Sequence, residues 1–115
     1  MVKEAKVDYD RENDILWVYT GEKVNDSLEI DNFVIDFSQE NKIVGIEIFK
    51  TSEILSKLTQ IKISKNSLLN IKKASLSSYQ SRELTFVIIN LILMIKNERK
   101  EIPIQIPAPV KTISA

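Results

Sequence analysis

The run from Leu84 to Lys96 constrains this chain more than any other segment. Leu84, Phe86, Ile88, Asn90, Ile92 and Met94 fall at one parity; Thr85, Val87, Ile89, Leu91, Leu93 and Ile95 fall at the other. In an extended strand these two sets point to opposite faces, so both faces are apolar and both need cover. Periodicity alone also admits a buried helix. The β-branched content and the polar loop Asn97-Glu98-Arg99 decide for a strand over 84–95. After that loop, Ile102, Ile104 and Ile106 alternate with Pro103, Gln105 and Pro107, an amphipathic strand over 100–107. Proline has no N–H to give a ladder, which places this strand at an edge or a bulge. Residues 73–80, with Ala74, Leu76 and Tyr79, form a third extended stretch, so that 84–95 is the middle of a three-stranded antiparallel meander. The tail from Pro107-Ala108-Pro109-Val110 onward is expected to be extended and partly disordered.

The first half repeats a shorter strand–turn rhythm. Ala5–Tyr9, Ile15–Tyr19, Ser27–Ile30, Phe33–Phe37 and Lys42–Phe49 are rich in β-branched and aromatic residues. Polar clusters separate them: Asp10-Arg11-Glu12-Asn13, Thr20-Gly21-Glu22-Lys23, Asp31-Asn32 and Ser38-Gln39-Glu40-Asn41. This is an antiparallel β-meander of four to five short strands. A short helix follows, with Ser52 as its candidate cap, Glu53 at its positive end, and Ile54, Leu55 and Leu58 on one stripe ending near Thr59. A second short helix or turn runs from Lys65 to about Lys72. The fold class expected is α+β, in one domain of 115 residues, with 5–58 forming the meander plus helix and 60–110 a β-rich extension.

Composition narrows the chemistry. There is no Cys and no His. Thiol and imidazole catalysis, disulfides and the commonest metal ligands are therefore absent from the repertoire. The 16 basic and 16 acidic residues cancel. The densest basic groupings, Lys72-Lys73 and Lys96 to Lys100, read as solvated strand ends and a hairpin loop rather than a phosphate-binding face. The longest apolar run, Phe86 to Ile95, falls short of the ~20 residues of a membrane helix, and no signal peptide is visible. The expectation is a cytoplasmic protein that binds neither nucleic acid nor membrane and carries no cofactor. Its many Ile, few Gly and abundant Lys and Glu suit a thermophile.

Three carboxylates are the candidates for chemistry. Asp14 closes the run Asp8, Asp10, Glu12, Asp14, which fails the calcium-loop pattern: Asn13 stands where Gly is needed and Tyr19 where Glu is needed. It reads as a hairpin turn whose Asp side chains bond local backbone. Glu47 sits between Ile46 and Ile48, and Asp36 is its expected carboxylate neighbour across a hairpin. Such a pair could raise one pKa for acid–base work; alternation on an exposed sheet face explains it more simply. Gly45 reads as a bulge or a close approach to Trp17.

Val7-Asp8-Tyr9-Asp10, Asn13-Asp14-Ile15-Leu16-Trp17-Val18, Ser27-Leu28-Glu29-Ile30, Phe33-Val34-Ile35-Asp36-Phe37 and Ile43-Val44-Gly45-Ile46-Glu47-Ile48 with Ser52 form a cadence. It resembles the domain of unknown function 2283 family of bacteria and archaea, over about residues 5–58. Ser38, Asn41 and Trp17 depart from the usual acidic residue, Gly and Tyr. The resemblance implies a β-meander followed by a helix, and no activity; residues 60–115 receive no support from it.

The functional expectation is a non-catalytic interaction module that self-associates as a homodimer. Phe86, Ile88, Ile92 and Met94, with Ile102, Ile104 and Ile106 on the edge strand, are the interface candidates. Two alternatives are carried: an antitoxin-like module that binds an unidentified protein, and a small enzyme using Glu47, Asp36 and Asp14.

Overall fold

A computed structural model describes residues 2–109; of the tail expected to be partly disordered, Pro107, Ala108 and Pro109 instead pair with Phe86, Thr85 and Leu84, and the rest lies outside the described residues. All eight extended segments form strands: β1 (Lys3–Asp10), β2 (Ile15–Tyr19), β3 (Asp26–Ile30), β4 (Phe33–Phe37), β5 (Ile43–Phe49), β6 (Ile71–Ser81), β7 (Leu84–Ile95) and β8 (Glu98–Pro109). Two short helices, α1 (Thr51–Thr59) and α2 (Lys65–Leu68), lie between β5 and β6. The fold is mostly antiparallel β.

The strands make one eight-stranded sheet in the order β3-β4-β5-β2-β1-β6-β7-β8. The arrangement departs from the two separate meanders expected from the sequence. β2 pairs with β5 rather than with β3, because the link after Tyr19 carries β3 out to the sheet edge. The edge suits β3, Asp-Ser-Leu-Glu-Ile, which has the least apolar surface to hide. The interior position falls to β5, whose Val44, Ile46 and Ile48 are at most 1 % exposed. The C-terminal meander is present as read, and β1 joins it to the rest. Lys3–Ala5 pair with β6 while Lys6–Asp10 pair with β2. One strand thus stitches both halves into a single sheet, bent enough to bring β2 and β5 near β6.

Two-residue connections close three hairpins: Asp31-Asn32, Arg82-Glu83 and Lys96-Asn97. Asp31, Arg82, Lys96 and Asn97 all adopt positive φ, the hand that matches the twist of the flanking strands.

The inner face carries the core. Val87, Ile89, Leu91 and Leu93 of β7 have no exposed surface, and Leu16, Val18, Ile35 and Ile46 join them in one cluster with Leu55, Ile63 and Leu68 from the helical segment. Ile102, Ile104 and Ile106 belong to this cluster too, at 2 to 4 % exposed. They were interface candidates in the sequence; the structure moves them into the chain's own interior. The reason is parity: β8 pairs with β7 over its full length, and Ile102, Ile104 and Ile106 oppose the inward residues Leu91, Ile89 and Val87.

Pro103 and Pro107 occupy the opposite parity of β8 and are exposed. Being four residues apart, both turn their missing amides to the same side of the strand. The unbroken register with β7 makes that side the open edge. The edge is therefore short of donors, which blunts strand addition there.

Candidate functional site

Asp14 ends the β1–β2 turn with φ 54° and points its carboxylate at the start of α1. Oδ2 accepts the Ser52 hydroxyl at 2.7 Å, Oδ1 accepts the Ser52 N–H at 3.1 Å, and Oδ1 also accepts the Tyr9 hydroxyl at 2.6 Å. Its backbone carbonyl accepts the Thr51 N–H at 2.9 Å. Lys50, the residue at the cap position, offers no side-chain bond. The helix is thus capped from a distant turn, and Ser52 is the receiver of the cap rather than its source. Burial works against the Asp14 charge, but the bonds from Tyr9 and Ser52 and the nearby Lys65 outweigh it and hold its carboxyl below the usual range. Tyr9 is pushed upward, first by burial and then by its bond to Asp14. A carboxylate held ionised at a helix N-terminus is a structural anchor.

Asp36 lies on the other face of the sheet, 7 % exposed. It accepts the Ser27 hydroxyl at 2.7 Å and the Trp17 indole N–H at 3.3 Å. Both contacts depend on Gly45, the cross-strand neighbour of Asp36 and Tyr19. A Cβ at this position would stand 2.9 Å from Asp36 Oδ2 and 3.2 Å from Trp17 Nε1. The absence of a side chain at residue 45 is what lets carboxylate and indole meet. The sequence reading of Gly45 as a close approach to Trp17 holds. Trp17 in turn stacks on Tyr19 with ring centroids 4.0 Å apart, and the Tyr19 hydroxyl donates to Asp8 at 3.0 Å.

Glu47 is opposite Trp17 and Val34, which makes Asp36 a diagonal rather than a direct neighbour. Its carboxyl is raised, by burial first and by the Asp36 charge second. The structure therefore brings Asp36 and Glu47 together on the outer sheet face and takes Asp14 away to the helix. Among the described residues no group of three potential metal ligands is close enough to hold an ion. A cleft of about 610 Å³ opens where the β4–β5 loop approaches β6, lined by Lys3, Phe37, Lys42, Leu76, Ser77 and Thr85 among others, and none of the three carboxylates reaches it.

The Glu47 shift has a testable consequence. A folded-state pKa above the unfolded value means that the native chain holds this proton more tightly, so stability falls as pH rises through the window. Glu47→Gln is expected to raise stability at pH 7 by up to ~0.5 kcal/mol, the scale of a partly exposed substitution. The gain should vanish below about pH 4, where the carboxyl is protonated in both states. Urea unfolding at the two pH values measures it, and an equal gain at both would show that ionisation is not the cause.

Fold and site together define a small antiparallel β domain whose most conspicuous acidic residues are held in structural networks. Residues 6–52 match the model of the family described as "Protein of unknown function (DUF2283)", so the resemblance expected from the cadence is borne out over that segment. Two archaeal relatives are similar. "Uncharacterized protein MJ0789" of Methanocaldococcus jannaschii is 43 % identical over 54 residues, covering 46 % of this chain and 47 % of the relative. A Methanosarcina mazei protein named "Putative hypoxanthine phosphoribosyltransferase" is 32 % identical over 69 residues, covering 59 % of this chain and 51 % of the relative. The chain spans about half the length of the curated relatives it matches. No solved structure matches. The geometry explains the family cadence: Tyr9, Asp14 and Ser52 form one network, and Trp17, Ser27, Asp36 and Gly45 form the other. Sequence reasoning noticed each of these except the pairings, which join residues up to 38 positions apart.

Among the described residues no helix is long and apolar enough to cross a membrane.

Proposed function

We propose that this domain is a non-catalytic interaction module that self-associates through the outer face of β7. One observation supports this reading most directly. Phe86, Ile88, Ile92 and Met94 point away from the helices and the core and are only half-buried, in a strand whose other face is fully covered. Each still shows part of its apolar surface to solvent, and a second copy would cover that remainder. Their neighbours favour close approach: Ser75 and Ser77 lie beside them on β6, Pro103 and Pro107 on β8. Tyr79 stacks on Phe86 with centroids 4.9 Å apart, so the aromatic end of the patch is already ordered. The patch retains four of the interface candidates, Phe86, Ile88, Ile92 and Met94, without the three isoleucines of β8.

Ile88→Glu, at the centre of the patch, is the direct test. Placing a charge in a desolvated interface is costly, so the variant is expected to sediment as a monomer over concentrations at which the native chain dimerises. Compared at monomeric concentrations the variant should lose only about 1–2 kcal/mol of unfolding free energy, because Ile88 is half-buried within one copy, and it stays folded. A native chain that is monomeric at every concentration would refute the reading.

A further inference from the structure

β6 runs past the end of its neighbour. β1 pairs with it over residues 74–76, whereas β7 pairs with it as far as Ser81. Among the described residues, 77–81 therefore have a strand on one side only, and no backbone hydrogen bond from a loop reaches them. In such a stretch alternate residues turn their N–H and C=O groups to the open side, a template about 17 Å long at strand rise. The two outer edges of the sheet are guarded against pairing. β3 has five residues and carries Asp26 and Glu29, and β8 carries Pro103 and Pro107. Ser77-Ser78-Tyr79-Gln80-Ser81 holds neither a charge nor a proline. The cleft of about 610 Å³ opens along this same stretch, with Ser77, Ser78, Tyr79 and Gln80 on one wall and Phe37 and Ile43 among its other lining residues.

We infer that residues 77–81 of β6 are a strand-addition site, which takes an uncharged extended segment of a partner protein in line with β1 and antiparallel to β6. Main-chain hydrogen bonds hold the segment, and its alternate side chains enter the cleft. The lining fits that role. Phe37 and Leu76 give the cleft apolar ground, and its volume is within the range of about 300–1,000 Å³ usual for ligand clefts. Its charges nearly cancel: Lys3 is paired with Glu22, and the others are one of each sign, Glu40 and Lys42. Backbone rather than charge therefore selects the occupant. A second copy is poorly equipped to supply it, since its outer strands bring the charges and prolines that guard them. The site uses an edge of the sheet and the proposed self-association uses an outer face, so either reading can stand without the other.

Amide hydrogen exchange followed by NMR tests it, with acetyl-Thr-Val-Thr-Val-Thr-amide as the probe. In the free chain at monomeric concentration, the amides of residues 77–81 that face away from β7 are expected to exchange fast. The probe should slow them at least about tenfold, with half-saturation near ~1 mM. The same peptide with its backbone amides methylated keeps every side chain and loses its donors; it should bind at least about tenfold more weakly. Ile88→Glu leaves the edge intact and should bind the probe as the native chain does. Four results would overturn the inference. Amides already slow in the dilute free chain would mean that the chain covers this edge itself. Slowing that appears only as protein concentration rises would assign the edge to a second copy. Equal binding of the methylated peptide would assign recognition to side chains, and no slowing up to ~10 mM probe would leave no site. A chain that is monomeric throughout yet binds the probe refutes self-association alone.

Discussion

Ile104→Ala is expected to lower the free energy of unfolding by about 3 kcal/mol, from the lost transfer energy of the side chain and the cavity left behind it. Ile104 is 3 % exposed and sits opposite Ile89, which has no exposed surface. Its neighbour in sequence, Gln105, points to the other face, and Gln105→Ala should change stability by no more than about 0.5 kcal/mol. Urea denaturation of both variants, read at unchanged m-value, makes the comparison. A mild Ile104→Ala beside a costly Gln105→Ala would mean that β8 presents the opposite face to the core, and the parity argument for the whole C-terminal meander would fall with it. The same experiment separates a core residue from an interface residue: the Ile104→Ala loss should not depend on protein concentration.

Asp14→Ala is expected to cost about 2 kcal/mol at pH 7, the upper range for removal of a helix cap. Two partners lose their acceptor at once, since the Tyr9 hydroxyl and the Ser52 hydroxyl and N–H all converge on this carboxylate. Asp14→Asn should cost less, because an amide oxygen can still accept one of these bonds. The sign of the pH dependence follows from the depressed pKa. The stabilisation is complete above the unfolded aspartate value of about 3.9 and is lost as pH falls through the lower folded value. The difference between native protein and Asp14→Ala should therefore narrow in acid. A difference that stays constant down to low pH would assign the effect to packing rather than to the ionised cap.

These two residues also mark how far sequence reasoning reaches. The β8 strand was legible as an alternation, and Pro103 correctly placed it at an edge. Which side of that alternation meets the core was not legible, because a free edge strand with apolar residues at one parity fits a subunit interface as well as an interior. Pairing with β7 decides it, through contacts that only the register establishes. Asp14 was legible as an acidic residue in a hairpin turn. Its partner was not, since a cap supplied from a turn 38 residues away in sequence leaves no local signature. The local capping rule pointed to Ser52, which does take part, in the reverse role. Glu47 and Asp36 were correctly suspected of proximity, and the diagonal geometry with Gly45 between them came from strand register.

Read alone, the sequence determined the elements: eight extended segments, the short helices and the turns between them, because alternation, β-branching and turn chemistry are local properties of neighbouring residues. Tertiary structure alone decided the order of the strands, the continuity of the sheet through β1, the inward burial of Ile102, Ile104 and Ile106, and the two polar networks. Strand order is set by which strands have most apolar surface to hide, and the networks by residues that meet only after the sheet has formed. Those are comparisons across the whole chain, and no window of neighbouring residues contains them.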